Sequence, residues 1–160
     1  MTMRSILFVC TGNICRSPTA EGVFLHMARS HGVLELLRID SAGTHDYHVG
    51  EPPDPRAIEH AARRGYDLSP LRARQVTAAD FREFDRILAM DRGHLRQLRA
   101  FAPAGSPARL DMFLDHSGSW RGLDVPDPYY GGSRGFEEVL DMVEDASARL
   151  LEEILAGLAR

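Results

Sequence analysis

Ser5-Ile6-Leu7-Phe8-Val9-Cys10-Thr11-Gly12-Asn13-Ile14-Cys15-Arg16-Ser17-Pro18 is the stretch on which the fold turns. Its opening residues form a continuous apolar run rich in β formers, which reads as a strand buried on both faces, the kind found in parallel sheets. Beyond the loop, Ala20, Val23, Phe24, Met27 and Ala28 recur at helical spacing, and Gly32 supplies a stop after His31. Ser17 as N-cap and Pro18 as first helical residue give that helix its start. Strand, tight loop and helix in succession open an α/β fold. Ligands of such folds bind outside the carboxyl ends of the strands, which is where Cys10 stands.

Working outward, a second strand is expected over Arg38–Ala42, ending at Gly43, followed by a loop carrying Tyr47, Gly50, Pro52 and Pro53. Asp54-Pro55 has the form of an N-cap and first helical residue, and Ala57, Ile58, Ala61 and Ala62 carry a helix to a stop near Gly65. Thr77 is placed to cap a short helix through Phe84. Arg86–Met90 reads as a third buried strand, Asp91–Phe101 as a helix and Arg109–Leu114 as a fourth strand. From Asp115 to Gly135 the chain is rich in Gly and Pro and reads as loop; a last helix runs from Phe136 to about Leu158 on a stripe that includes Val139, Val143, Leu150 and Ile154. The sum is a three-layer α/β fold with a central, mostly parallel four-stranded sheet flanked by helices, occupying residues 1–160 as one domain.

The 160 residues are 44% hydrophobic, with 19 basic and 23 acidic side chains and a net charge of −4, a balance suited to one domain with an adequate core. All 19 basic residues are Arg, and the chain has no Lys. A Walker-A loop and Schiff-base or pyridoxal chemistry both require Lys, so those classes are excluded. The mild negative charge argues against a nucleic-acid partner. Cys10 and Cys15 are the only cysteines; with neither a zinc set nor a disulfide framework, they read as reduced thiols. The apolar run Ile6–Val9 is too short for a signal-peptide core, and no later stretch reaches the roughly 20 apolar residues of a spanning helix. A cytoplasmic protein without membrane attachment is expected.

Between the two cysteines lies Asn13, the only Asn of the chain. A loop of this composition can curl so that backbone N–H groups converge, with the positive end of the following helix behind them, which makes an anion site. Gly12 lets the backbone approach the anion, and Asn13 is the non-Gly residue best suited to a left-handed turn. Arg16 offers a planar fork to two phosphate oxygens. A free thiol titrates near 8.5, whereas thiols ringed by amides, a helix N-terminus and Arg fall to about 3.5–7.5. Cys10 is therefore the candidate nucleophile toward phosphorus, and Thr11, Gly12, Asn13, Ile14, Cys15, Arg16 and Ser17 are the candidate cradle for its oxygens. Ser17 can donate its hydroxyl to the thiolate, a role that competes with capping the helix. No metal ion or cofactor enters this chemistry. His45 and His48 share a loop, but two ligands without a third do not make a metal site. For Cys15 two readings stand side by side: small core packing, or a partner thiol that traps an oxidised Cys10 as a reversible disulfide.

The run Val9-Cys10-Thr11-Gly12-Asn13-Ile14-Cys15-Arg16-Ser17-Pro18 resembles the signature of the low-molecular-weight protein tyrosine phosphatases, and Asp127-Pro128-Tyr129-Tyr130 resembles their general-acid loop. The likeness extends through Asp40-Ser41-Ala42-Gly43, Val49-Gly50 to Asp54-Pro55-Arg56-Ala57, Ala73-Arg74-Gln75-Val76 and Ile87-Leu88-Ala89-Met90-Asp91, and so covers nearly the whole chain. It implies the phosphotyrosine protein phosphatase I-like form of the fold, and a phosphomonoesterase with Cys10 as nucleophile, Arg16 as phosphate ligand and Asp127 as general acid and then base. Residue chemistry agrees for Asp127. The chain has two Asp-Pro pairs; Asp54 opens a helix, whereas Asp127-Pro128 precedes Tyr-Tyr-Gly-Gly and is expected to open nothing. A carboxyl beside a phosphate dianion is driven toward its protonated form, ready to supply the leaving oxygen.

The resemblance also implies substrate walls. Tyr47, Tyr129 and Tyr130 match positions that line a deep aromatic slot, with Ile14 as apolar floor, and such a slot favours phosphotyrosine over the shorter phosphoserine. In a related branch that acts on phosphoarginine the residue matching Ile14 is Thr, so Ile14 points away from that activity. Leu71 stands where the family commonly has a His that braces the loop Asn, so Asn13 needs other support, with Ser41 the candidate. The implied partners are a phosphotyrosine-bearing protein and a cognate tyrosine kinase, with inorganic phosphate as product. Two alternatives remain. A thioredoxin-linked arsenate reductase needs further relay cysteines, which are absent beyond Cys15; a silent phosphate-binding or redox-sensing module keeps Arg16 and the amides but has no need of Asp127.

Overall fold

The N-terminal apolar run becomes β1 (Arg4–Cys10), and the remaining strands are β2 (Leu37–Gly43), β3 (Arg86–Ala89) and β4 (Arg109–Met112) in a computed structural model that describes residues 4–158. They form one sheet in the order β2-β1-β3-β4, with every neighbouring pair parallel. Side chains alternate across β1 as strand geometry requires. Ile6 and Phe8 enter one core with α1 (Arg16–Ser30), α2 (Pro55–Arg63) and α5 (Ser133–Leu158); Leu7 and Val9 enter a second with α3 (Asp80–Glu83) and α4 (Arg92–Phe101). Three layers result. Phe8 is fully buried between Phe24 and Phe113, with ring centroids at 5.7 and 5.1 Å in edge-on contact.

The strand order sets the place of the site. The chain leaves β1 for β2 on one side and then crosses to β3 on the other, so the carboxyl end of β1 lies at the point where the winding reverses. Cys10 is the last residue of that strand, in register with Gly43 of β2.

Several boundaries differ from those read in the sequence. Ser17 does not cap α1: the helix starts at Arg16 behind Cys15, with no side-chain cap, because the Ser17 hydroxyl is engaged elsewhere. Thr77 caps nothing with its side chain; Asp80 instead accepts the Thr77 backbone N–H at 2.8 Å, and the helix there shrinks to four residues. β4 stops at Met112, and Phe113–His116 form a 3-10 turn that drives Phe113 and Leu114 into the core. Asp127 does open an element. Its side chain accepts the Tyr129 N–H at 3.0 Å and caps a single 3-10 turn over Pro128–Tyr130. By contrast, Asp54 caps α2 as expected, and Asp91 caps α4 by accepting the His94 N–H at 2.9 Å.

Candidate active site

The loop between β1 and α1 is folded around Asn13, the only non-Gly residue with positive φ among the described residues (59°). Its amide makes that turn affordable by satisfying three neighbours. Nδ2 donates to Ser17 Oγ at 2.8 Å and to Ser41 Oγ at 2.9 Å, while Oδ1 accepts the Arg74 backbone N–H at 3.0 Å. Ser41 thus gives the bracing expected of it, and the Arg74 amide supplies the rest where Leu71 cannot. Ser17 Oγ lies 2.9 Å from Cys10 Sγ and accepts from Asn13, so its own hydrogen has two acceptors within reach, the sulfur and the more distant Ala42 carbonyl at 3.5 Å. Ser41 in turn donates to Glu21 Oε1 at 2.5 Å. Glu21 lies buried on α1; burial is the main reason its pKa is pushed up to about 7, reinforced by Asp40 and opposed by the Ser41 hydrogen bond and Arg74.

Arg16 is fixed from behind. Nη1 donates to Asp91 Oδ2 at 2.9 Å and to the Val125 carbonyl at 3.0 Å, and Nη2 lies 3.7 Å from Asp127 Oδ2. Burial works against the ionised form of Asp91, but the His94 amide and the Arg16 guanidinium outweigh it and hold the carboxyl below its ordinary range. Thr11 Oγ1 meets His94 Nε2 at 2.7 Å. Burial, with Arg16 adding to it, brings the His94 imidazole down to about 4. Ion-pair distance from His94 Nδ1 to Asp91 Oδ1 is 3.2 Å, yet that nitrogen has no well-aligned hydrogen bond. We read the ring as a neutral group whose working contact is Thr11.

A cavity of about 130 Å³ opens over these groups, lined by Cys10, Thr11, Gly12, Ile14, Cys15, Arg16, Tyr47, His48, Asp127, Tyr129 and Tyr130. With the parallel sheet, the uncapped helix start and the thiol, guanidinium and carboxyl brought to one cavity, residues 5–159 match the sequence family "Low molecular weight phosphotyrosine protein phosphatase". The chain belongs to that family. A low molecular weight protein-tyrosine-phosphatase of Streptomyces coelicolor is 48% identical over 157 residues, 96% of this chain and 94% of that one. Among solved structures, the protein tyrosine phosphatase of Entamoeba histolytica with Hepes in its active site superposes with a TM-score of 0.92 at 38% identity, covering 96% of this chain and 98% of the other. YfkJ of Bacillus subtilis gives 0.91 at 38% identity, covering 98% of each.

In this member of the phosphatase family, most of the residues picked from sequence meet at one place. Tyr47 and Tyr130 are largely exposed at the rim, Tyr129 is less so, and Tyr129 and Tyr130 pack edge to face at 5.0 Å. Asn13 and Ser17 are buried and absent from the cavity lining; they brace it from beneath. Cys15 lines it and is buried, and burial first, then Asp54, raises its pKa far enough to keep it a thiol. Gly12 has a reason the sequence did not disclose, since a Cβ there would sit 2.8 Å from the His48 ring. Sequence reasoning missed Asp91, His94, Glu21 and Gly43 as supports. Only Gly43 carried a signal, a glycine ending a strand: a Cβ there would lie 2.6 Å from the Thr11 carbonyl oxygen. Arg56 was missed as well. Held by Asp54 at 3.0 and 2.9 Å, it donates to the Tyr129 carbonyl at 3.1 Å and so ties the Asp127 turn to α2.

Proposed function

We propose that residues 1–160 act as one catalytic domain that hydrolyses phosphotyrosine in proteins, with Cys10 as nucleophile, Arg16 as phosphate ligand and Asp127 as acid and base. The observation that carries this reading is the convergence of Cys10, Arg16 and Asp127, from opposite ends of the chain, on one cavity with tyrosine walls. The uncapped start of α1 leaves its first amides free for phosphate oxygens. Cys10 Sγ attacks phosphorus in line; the S–P bond forms as the P–O bond breaks, and Asp127 gives its proton to the leaving phenol oxygen. Arg16 and the loop amides hold the equatorial oxygens where charge spreads. Water then attacks phosphorus, Asp127 takes its proton, the S–P bond breaks, and inorganic phosphate leaves. The departing thiolate is met by the Ser17 hydroxyl 2.9 Å away.

Tyr47, Tyr129 and Tyr130 with Ile14 support an aryl phosphate as substrate, with a tyrosine kinase as the enzyme that generates it. The setting assigned is the cytoplasm; among the described residues no helix is long and apolar enough to cross a membrane. Cys15 is assigned as the thiol that condenses with the sulfenic acid formed when a peroxide oxidises Cys10, the peroxide O–O bond being reduced, and the condensation releases water and leaves a disulfide.

Turnover of a series of aryl phosphates tests the assignment. Activity without added metal, inhibition by vanadate and complete loss in Cys10→Ser are expected; a Cys10→Ser protein that still turns over removes the mechanism. Asp127→Ala should lose on the order of 10²–10⁴-fold on phenol-like leaving groups and much less where the leaving group needs no proton. Equal losses on both would deny Asp127 its role as acid.

A further inference from the structure

We infer that Glu21 is a positioning residue for Cys10, acting through a buried line of hydrogen bonds that runs Glu21, Ser41, Asn13, Ser17, Cys10. This rests on the reading of Cys10 as nucleophile and extends it to a residue one and a half turns into α1. Every link is short: 2.5 Å from Ser41 Oγ to Glu21 Oε1, 2.9 Å from Asn13 Nδ2 to Ser41 Oγ, 2.8 Å from Asn13 Nδ2 to Ser17 Oγ, and 2.9 Å from Ser17 Oγ to Cys10 Sγ. All five residues are buried, so water does not substitute for a missing partner without cost.

Hydrogen counting gives the line a direction. An ionised Glu21 can only accept, so Ser41 spends its hydrogen on Glu21 and presents its lone pairs to Asn13. Asn13 then commits both amide hydrogens, one to Ser41 and one to Ser17, while its oxygen takes the Arg74 N–H. Ser17, already an acceptor, directs its hydrogen to the sulfur at 2.9 Å in competition with the Ala42 carbonyl at 3.5 Å. Protonating Glu21 turns one of its oxygens into a donor beside Ser41 and leaves only the weaker, neutral carbonyl oxygen to accept the Ser41 hydroxyl, which loosens the order of the whole line.

The charges facing Glu21 are few. Asp40 on β2 repels its ionised form and Arg74 attracts it, but Arg74 is already held by Asp40 at 3.1 Å and by Asp80 at 3.0 Å through each of two nitrogens. Among the described residues no full counter-charge is left for Glu21, and burial therefore brings its titration into the neutral range.

The rate of Cys10 alkylation by iodoacetamide, followed from pH 5 to 9 beside kcat for an aryl phosphate, reads this coupling. Cys15 stays silent, because burial keeps it a thiol. Wild-type protein is expected to show a step of roughly two- to fivefold near pH 7 in addition to the titration of Cys10 itself, the size of one reorganised hydrogen bond. Glu21→Gln, which keeps an oxygen for Ser41, should lose the step, and so should Ser41→Ala, which cuts the line while leaving Glu21 in place. A wild-type profile without the step, a Glu21→Gln profile that retains it, or a Ser41→Ala profile that retains it would each overturn the proposal. Turnover surviving in Cys10→Ser would instead strike the nucleophile assignment, a separate result.

Discussion

Arg16 is anchored before any phosphate arrives, and among the described residues it is the only arginine that is buried. Asp91 does two jobs with two oxygens: Oδ1 caps α4 and Oδ2 holds the Arg16 guanidinium. Asp91→Asn can keep the cap through its remaining oxygen but cannot accept from Arg16. We expect inhibition by inorganic phosphate to weaken by roughly tenfold, the order of one mispositioned phosphate ligand, with little change in the urea midpoint. Asp91→Ala should add a stability loss of about 1 kcal/mol for the cap. Unchanged phosphate inhibition in Asp91→Asn would mean that Arg16 is positioned by the Val125 carbonyl alone. At this scale Cys10, Asn13 and Arg16 were legible because their chemistry is local to one loop. Asp91 and His94 were not, since they reach the loop only after β3 is laid beside β1.

Among the elements, the end of β2 grips the start of the phosphate loop through backbone hydrogen bonds. Gly43 N–H donates to the Arg74 carbonyl at 2.8 Å, and Thr44 and His45 donate to the Cys10 and Thr11 carbonyls at 2.9 and 3.0 Å. This backbone seam leaves no room for a Cβ at Gly43. Gly43→Ala is expected to push Thr11 and Gly12 outward, at a cost of about 1–3 kcal/mol in stability and roughly 10–100-fold in kcat/KM from misplacement of the cradle. Denaturant melts and aryl phosphate kinetics check the pair of effects; full activity in a folded Gly43→Ala protein would show that the seam tolerates the shift. Ser17 teaches a related lesson. Its sequence position fits an N-cap, but tertiary contacts with Cys10 and Asn13 outweigh local capping, and the uncapped helix start is left for an anion.

For the whole molecule, two buried groups near the site pull its pH dependence in opposite directions. Glu21 titrates at about 7 when folded and near 4.5 when unfolded, so the native state holds the extra proton and stability falls as pH rises through that window. His94 titrates at about 4 when folded and near 6.5 when unfolded, so the unfolded chain holds the extra proton and stability rises with pH over that range. Where the windows overlap the two slopes, each approaching about 1.4 kcal/mol per pH unit, offset one another. Urea midpoints at half-unit pH steps should therefore be nearly flat between these limits for the wild type. They should rise with pH in Glu21→Gln and fall in His94→Gln; parallel curves for all three proteins would show that neither group couples to folding as its burial requires.

By itself the sequence determined the alternation of strands and helices, the left-handed turn at Asn13, the cap at Asp54, the helix over Asp91–Phe101, and the thiol–guanidinium loop. Each depends on neighbours a few residues away, or on a periodicity that registers in the chain itself. Lys is absent, and Arg16 provides the planar fork that the phosphate cradle needs. Only the tertiary structure decided what stands behind that loop: Asp91 against Arg16, His94 against Thr11, Gly43 against the Thr11 carbonyl, and Glu21 at the far end of the line to Cys10. These partners are ordinary residues in ordinary elements. Their roles come from parallel strands laying distant carboxyl ends side by side, where burial strips away water and makes each remaining polar contact count.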